Sequence, residues 1–124
     1  MTERAHLDRP ISAAEAAVLR AALERVPKAP EFASLASGIE RLRVVGACTC
    51  GCDSIDFLEQ DPARRVTLVA DGIGTTPAGG QVGVIVWGTK DFLSGLEVYD
   101  LGAGDDDIKL PVPTSIRGFH EGAA

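Results

Sequence analysis

Residues 82–101 read VGVIVWGTKDFLSGLEVYDL, and this stretch decides the fold class. Apolar side chains alternate with small or polar ones over residues 82–88 and again over residues 95–101. Such alternation is typical of a β-strand with one buried face. The connection, TKDFLSG, is too short for a crossover helix, so the two strands must run antiparallel. The sequence therefore predicts a β-hairpin here.

Further alternating stretches extend this hairpin into a sheet. They cover residues 40–48, 54–59 and 66–70, and each is bounded by Gly, Asp or Pro residues that favour turns. Because the connections are short, we expect an antiparallel meander of about five strands. The glycine-rich segments 72–80 and 102–107 are predicted to be mobile loops.

Helical periodicity is confined to the N-terminal part of the chain. Residues 12–26, SAAEAAVLRAALERV, carry apolar side chains at helical spacing. Ser12 followed by Glu15 is the capping-box pattern of a helix start, and Pro27 marks the end. A shorter second helix is predicted over residues 31–38. The positions expected to be buried against the sheet are Val18, Leu19, Leu23 and Val26.

These elements predict an α+β fold in which one N-terminal helix, or two, packs on an antiparallel meander sheet of about five strands. A chain of 124 residues has the usual length of one domain, and its 45% apolar and 24% charged content is that of a globular protein. We therefore expect a single α+β domain over residues 1–124, with residues 1–11 and 117–124 frayed.

The charge of the chain bears on its partners. The formal net charge is -6 and the sequence pI is about 4.8, whereas affinity for nucleic acid depends on clustered Lys and Arg. Nucleic acid is therefore not expected as a partner, and a basic protein fits the charge better. Residues 1–10 lack an apolar signal core, and apolar runs such as Val84–Trp87 are too short to span a bilayer. We expect a cytoplasmic protein without a membrane partner.

The most distinctive motif is GACTCGCDS, which contains all three cysteines, Cys48, Cys50 and Cys52. Thiolates are preferred ligands of Zn(II) and Cu(I), so these residues are the candidate metal ligands. A fourth ligand is missing, because His6 and His120 lie near the chain ends. A redox role is the second interpretation, but it usually relies on C-x-x-C rather than C-x-C spacing. Packing of small side chains at a strand-turn-strand corner is the third interpretation, and the spacing favours it.

No catalytic set can be assembled from the remaining residues, and no cofactor is expected. The segment 72–80 follows a predicted strand but lacks the third glycine and the G-K-[ST] of nucleotide-binding loops. The aspartates of residues 105–107 lack the EF-hand spacing and are interpreted as a solvated loop. An enzyme site would require carboxylates in one pocket, for which the candidates are Asp71, Glu97 and Asp100.

The order of these parts resembles a group of small uncharacterised bacterial proteins. The resemblance spans residues 12–116 and is carried by CTCGCDSIDF at residues 48–57, VGVIVW and GLEVYD in the hairpin, and LPVP at residues 110–113. It implies that Cys50, Gly51, Cys52 and the segment Leu96–Tyr99 recur in that group. Such proteins have no known activity, so the resemblance supports the fold and implies no chemistry.

Three functional hypotheses remain. The first is a non-catalytic protein-interaction module that binds and masks a partner, in the manner of bacterial immunity proteins. The second is a thiolate metal-binding or redox protein that uses Cys48, Cys50 and Cys52. The third is an enzyme whose carboxylate site is not recognisable from sequence. Because an open sheet has unpaired edges, a homodimer is a further expectation.

Overall fold

The α+β class predicted from sequence is confirmed in a computed structural model, which describes residues 4–49, 52–59, 61–102 and 108–119. The six strands are β1 (Arg4–Pro10), β2 (Arg43–Cys48), β3 (Ile55–Asp56), β4 (Thr67–Thr75), β5 (Gln81–Gly88) and β6 (Leu93–Asp100). The helices are α1 (Ala13–Arg25), a long 3-10 helix (Pro30–Arg41) and a short one (Pro113–Ser115). The predicted second helix is thus present in 3-10 form.

The strands form one antiparallel sheet in the order β1-β2-β3-β6-β5-β4. It consists of two three-stranded meanders, β1-β2-β3 and β4-β5-β6, joined by the pairing of β3 with β6. Between β3 and β4 the chain therefore passes from the middle of the sheet to its far edge. This crossing places the segment between them next to the face of the sheet.

Strand β1 departs from the expectation that residues 1–11 are frayed. Residues Arg4–Pro10 instead pair with β2. This strand lacks strong apolar alternation because most of its side chains are exposed. Two ion pairs support it: Arg9 binds Glu15 at the start of α1, and Asp8 binds Arg43 on β2.

Helix α1 begins as the sequence predicts. The Ser12 hydroxyl accepts a hydrogen bond from the backbone N–H of Glu15, and the Glu15 carboxylate accepts one from the backbone N–H of Ser12. The helix packs on β4 and β5. The four apolar side chains expected in the core are all buried, namely Val18, Leu19, Leu23 and Val26.

Several predicted boundaries are wrong. The strand expected over residues 40–48 begins at Arg43, because the 3-10 helix continues to Arg41. The strand expected over residues 54–59 contains only Ile55 and Asp56, and residues 72–75 of the predicted mobile loop belong to β4. Glycine is required at two of these positions by close packing. A Cβ at Gly72 would lie 2.6 Å from the carbonyl oxygen of Arg117, and one at Gly74 would lie 2.6 Å from Cβ of Pro111.

The outer edge of β4 is hydrogen-bonded to other parts of the chain. The backbone N–H of Lys28 donates to the carbonyl of Val69, and Arg117 exchanges two hydrogen bonds with Ile73. Arg117 is therefore held in place, whereas residues 117–124 were expected to be frayed; residues 120–124 lie outside the described chain. None of the helices in the described residues has the length and apolar character to cross a membrane.

Candidate functional site

The face of the sheet opposite α1 presents a mixture of aromatic, aliphatic and acidic side chains. Residues directly opposite one another in an antiparallel pair share a face. Asp71, Ile85 and Glu97 therefore form one row across β4, β5 and β6, because Ile85 pairs with both of the others. The open face is defined by these three residues together with Ile73, Trp87 and Tyr99.

Gly83 allows the Tyr99 ring of the open face to lie close to the sheet. Gly83 lies opposite Tyr99, and the hydroxyl end of that ring covers it. Gly95 lies opposite Trp87. The Trp87 indole Nε1 donates a 3.0 Å hydrogen bond to Oε1 of Glu97, which fixes the carboxylate beside the ring.

An open groove with a volume of about 940 Å³ lies at the Trp87 end of this face. Strand β5 contributes Trp87, and β6 contributes Gly95 and Glu97. The segment between β3 and β4 lines the groove with Leu58, Glu59, Asp61, Pro62, Arg64 and Val66. The crossing from the middle of the sheet to its edge therefore creates the groove.

The groove is predominantly acidic. Its described lining includes four carboxylates, from Asp56, Glu59, Asp61 and Glu97, against the single cation of Arg64. The Arg64 guanidinium donates a 2.5 Å hydrogen bond to the backbone carbonyl of Glu59. The salt bridges Arg9–Glu15, Arg20–Glu40 and Arg43–Asp8 lie outside the groove lining.

Asp56 is the most buried of these carboxylates, at 7% exposure. It lies opposite Gly46 on β2 and Gly95 on β6. A Cβ at Gly46 would lie 2.8 Å from Oδ2 of Asp56, so a glycine leaves the space that this carboxylate occupies. The negative charge at the base of the groove is therefore part of the packed sheet.

The cysteine motif reaches the same groove, because Cys48 and Cys52 both line it. Cys48 is disulfide-bonded, whereas Cys52 is a thiol that donates to Oγ of Ser54 at 3.4 Å. Cys50 lies outside the described residues. A disulfide sulfur is not a thiolate ligand, so Cys48 can serve as a metal ligand only after reduction, and the predicted metal site stays a prediction. The described residues contain no group of three His, Cys, Asp or Glu side chains able to hold a metal ion.

Ser54 joins the cysteine motif to β6. Its hydroxyl, which is buried, accepts from the backbone N–H of Val98 at 2.9 Å and donates to the carbonyl of Val98 at 3.2 Å. Because β3 is so short, this side chain replaces the backbone pairing that a longer strand would provide. The neighbouring Asp53 accepts from the backbone N–H of Leu110 at 2.7 Å and so anchors the C-terminal segment.

The three carboxylates suggested for an enzyme site are not brought into one pocket. Glu97 lines the groove, whereas Asp71 and Asp100 do not. Asp71 does lie near Tyr99, whose pKa is raised by burial and by the negative charges of Asp71 and Glu97. The Tyr99 phenol therefore stays neutral on the open face. His6 is exposed on β1, and His120 lies outside the described residues.

Sequence reasoning missed the hydrogen bond between the Trp87 indole and the Glu97 carboxylate. The signal was present in the hairpin, because both residues fall on the non-core positions of adjacent strands. Comparison with known proteins adds no assignment: no family model, curated protein or solved structure matches this chain. The resemblance to small uncharacterised bacterial proteins stays a prediction.

Proposed function

We propose that this chain is a non-catalytic binding module that engages and masks a basic partner protein through its groove and open face. The observation that carries the proposal is the composition of the groove, whose described lining sets four carboxylates and Trp87 against the single cation of Arg64. A surface of this charge attracts a positive patch and disfavours acidic partners. The net charge of -6 acts in the same direction at longer range.

The residue types on the open face support a protein partner. Trp and Tyr are the side chains that most often dominate binding energy at interfaces, because they offer a large rigid area and a polar group. Trp87 and Tyr99 are both partly exposed. Ile85 adds aliphatic surface between their rows, and Ile73 adds it in the row of Tyr99. This face therefore combines an apolar centre with carboxylates, as a specific interface does.

The partner is tested by comparative affinity capture from the source cell. Wild type is compared with a Trp87→Ala/Glu97→Gln groove variant and with a Glu24→Gln control, since Glu24 is exposed on α1 away from the groove. We expect a basic protein that wild type and control retain and the groove variant loses. Binding of the purified partner should weaken at least tenfold in the groove variant and fall with added salt.

The proposal is overturned if all three proteins capture the same partner with equal affinity. It is also overturned if the purified partner binds equally well at low and high salt, because charge complementarity would then contribute nothing. Circular dichroism of the groove variant shows that lost binding does not reflect an unfolded chain.

Thiol–disulfide exchange is a second candidate, favoured by the position of the Cys48 disulfide and the Cys52 thiol on one groove. In such exchange the Cys52 thiolate attacks a disulfide sulfur, a new S–S bond forms, and the displaced sulfur leaves as a thiolate. Alkylation followed by peptide mass spectrometry tests it. Exchange predicts that a Cys52→Ser variant no longer forms mixed disulfides with glutathione, and unchanged formation rules it out.

A further inference from the structure

We infer that the groove recognises an arginine side chain of the partner, with its guanidinium against the Trp87 indole and the Glu97 carboxylate. This inference rests on the proposed function and names the chemical group that the site selects. It begins from the hydrogen bond between Trp87 Nε1 and Glu97 Oε1, which holds an aromatic plane and a carboxylate side by side.

The fixed carboxylate can accept further hydrogen bonds. Oε1 of Glu97 accepts the indole N–H, and no described residue donates to Oε2. Glu97 is exposed and Trp87 is partly exposed, so a group entering the groove reaches both. A guanidinium suits this pair because it is planar, carries parallel N–H donors for a carboxylate and stacks on aromatic faces.

The surroundings of the pair favour a cation that is attached to an aliphatic chain. Glu59 and Asp61 supply negative charge from the facing segment, while Leu58 and Val66 supply apolar surface for methylene groups. Arg64 is oriented by its hydrogen bond to the Glu59 carbonyl. Because the groove of about 940 Å³ is larger than one side chain, residues flanking the arginine also fit within it.

Arginine is favoured over lysine by the geometry. An ammonium is a compact and strongly hydrated charge that pairs with a carboxylate at one point. The indole and carboxylate of the groove lie side by side, which matches a flat and weakly hydrated group that contacts both. Recognition should therefore depend on the shape of the cation as well as on its charge.

The test uses N-acetylarginine methylamide as the probe, with the lysine and citrulline analogues as comparisons. Trp87 is the single tryptophan of the chain, so its indole N–H resonance reports on the groove directly. We expect the arginine probe to shift this resonance saturably. The neutral citrulline analogue and the Glu97→Gln variant should each weaken binding at least tenfold, and the lysine analogue about threefold or more. The Glu24→Gln control should bind like wild type.

Equal binding of arginine and lysine probes overturns the inference, as does unchanged binding of the arginine probe by Glu97→Gln. Dispersion of the amide spectrum establishes that each variant is folded. If the groove variant loses a captured partner while the arginine probe leaves Trp87 unshifted, the proposed function stands and this inference fails. If no partner is captured, the proposed function fails whatever the probe does.

Discussion

The hydroxyl end of the Tyr99 ring lies over the backbone of Gly83, so closely that a Cβ at Gly83 would be 2.0 Å from Cζ of Tyr99. We expect Gly83→Ala to displace the ring and to lower the free energy of unfolding by about 1–3 kcal/mol. Gly38→Ala is the matched control, because a Cβ there would lie 3.7 Å from its nearest neighbour. Denaturant titration measures both, and equal stabilities would contradict the contact.

The charge around Tyr99 predicts a spectroscopic result. Burial, then Asp71 and Glu97, raises the pKa of the phenol above its ordinary value of 10.0. Removing one negative charge with Asp71→Asn should therefore bring the pKa of Tyr99 closer to 10.0. Because Tyr99 is the single tyrosine, ultraviolet absorbance of the phenolate follows it alone. Glu24→Gln should leave the titration unchanged, and an equal shift in both variants would contradict a local effect.

Glu15 links β1 to the start of α1, and its contribution should depend on pH. Burial raises the pKa of this carboxyl, but hydrogen bonds from Arg9 and Ser12 outweigh it and hold the pKa below the ordinary 4.5. A depressed folded-state pKa gives stability that is complete above about pH 4.5 and is lost as pH falls through the folded value. Glu15→Gln should cost about 1–3 kcal/mol at neutral pH.

Denaturant titration of wild type and Glu15→Gln over a range of pH measures this dependence. The stability difference should stay constant from neutral pH down to about pH 4.5 and shrink below it. A difference that is independent of pH would show that the charge of Glu15 does not stabilise the fold.

Ser54 is expected to matter more than its size suggests. Ser54→Ala leaves the backbone N–H and carbonyl of Val98 without the hydroxyl that serves both, which should cost about 1–3 kcal/mol. Ser34→Ala removes an exposed hydroxyl that donates to Glu31 and should change stability by less than about 0.5 kcal/mol. Thermal or denaturant unfolding compares them, and similar losses would argue against a special role for Ser54.

The disulfide at Cys48 makes metal binding dependent on redox state. We expect elemental analysis of the oxidised protein to find no bound zinc, because Cys48 is then not a thiolate. The triple Cys48→Ser/Cys50→Ser/Cys52→Ser variant is the control for background metal. One equivalent of zinc in the oxidised wild type, absent from the variant, would show a metal site and contradict this expectation.

The elements that sequence predicted well are those whose pattern reflects burial on one face. Helix α1 and the β5–β6 hairpin place apolar side chains at regular intervals against a single core. Strand β1 shows no such pattern, because its stability comes from backbone pairing and ion pairs. At Gly72 the glycine pattern predicts a mobile loop, whereas the glycine is required there by close contact with Arg117.

The candidate site was predictable only in part. The hairpin register alone brings Glu97 next to Trp87, so half of the groove could have been derived from sequence. The other half comes from residues 58, 59 and 61–66, which have no regular secondary structure and no periodicity that fixes their path. Their position follows from the crossing between β3 and β4, and that crossing depends on the order of strands in the finished sheet.

The covered edge of β4 limits how copies of this protein can join. The backbone groups of that edge are hydrogen-bonded to Lys28, Val112 and Arg117. At the opposite edge of the sheet, β1 pairs with β2 alone among the described residues. A continuous fibre of sheets joined edge to edge requires two open edges on every subunit. With one edge occupied, pairing through β1 would close after two copies. Gly72 and Gly74 leave room for Arg117 and Pro111 at this edge. These two glycines therefore also protect the sheet from open-ended polymerisation.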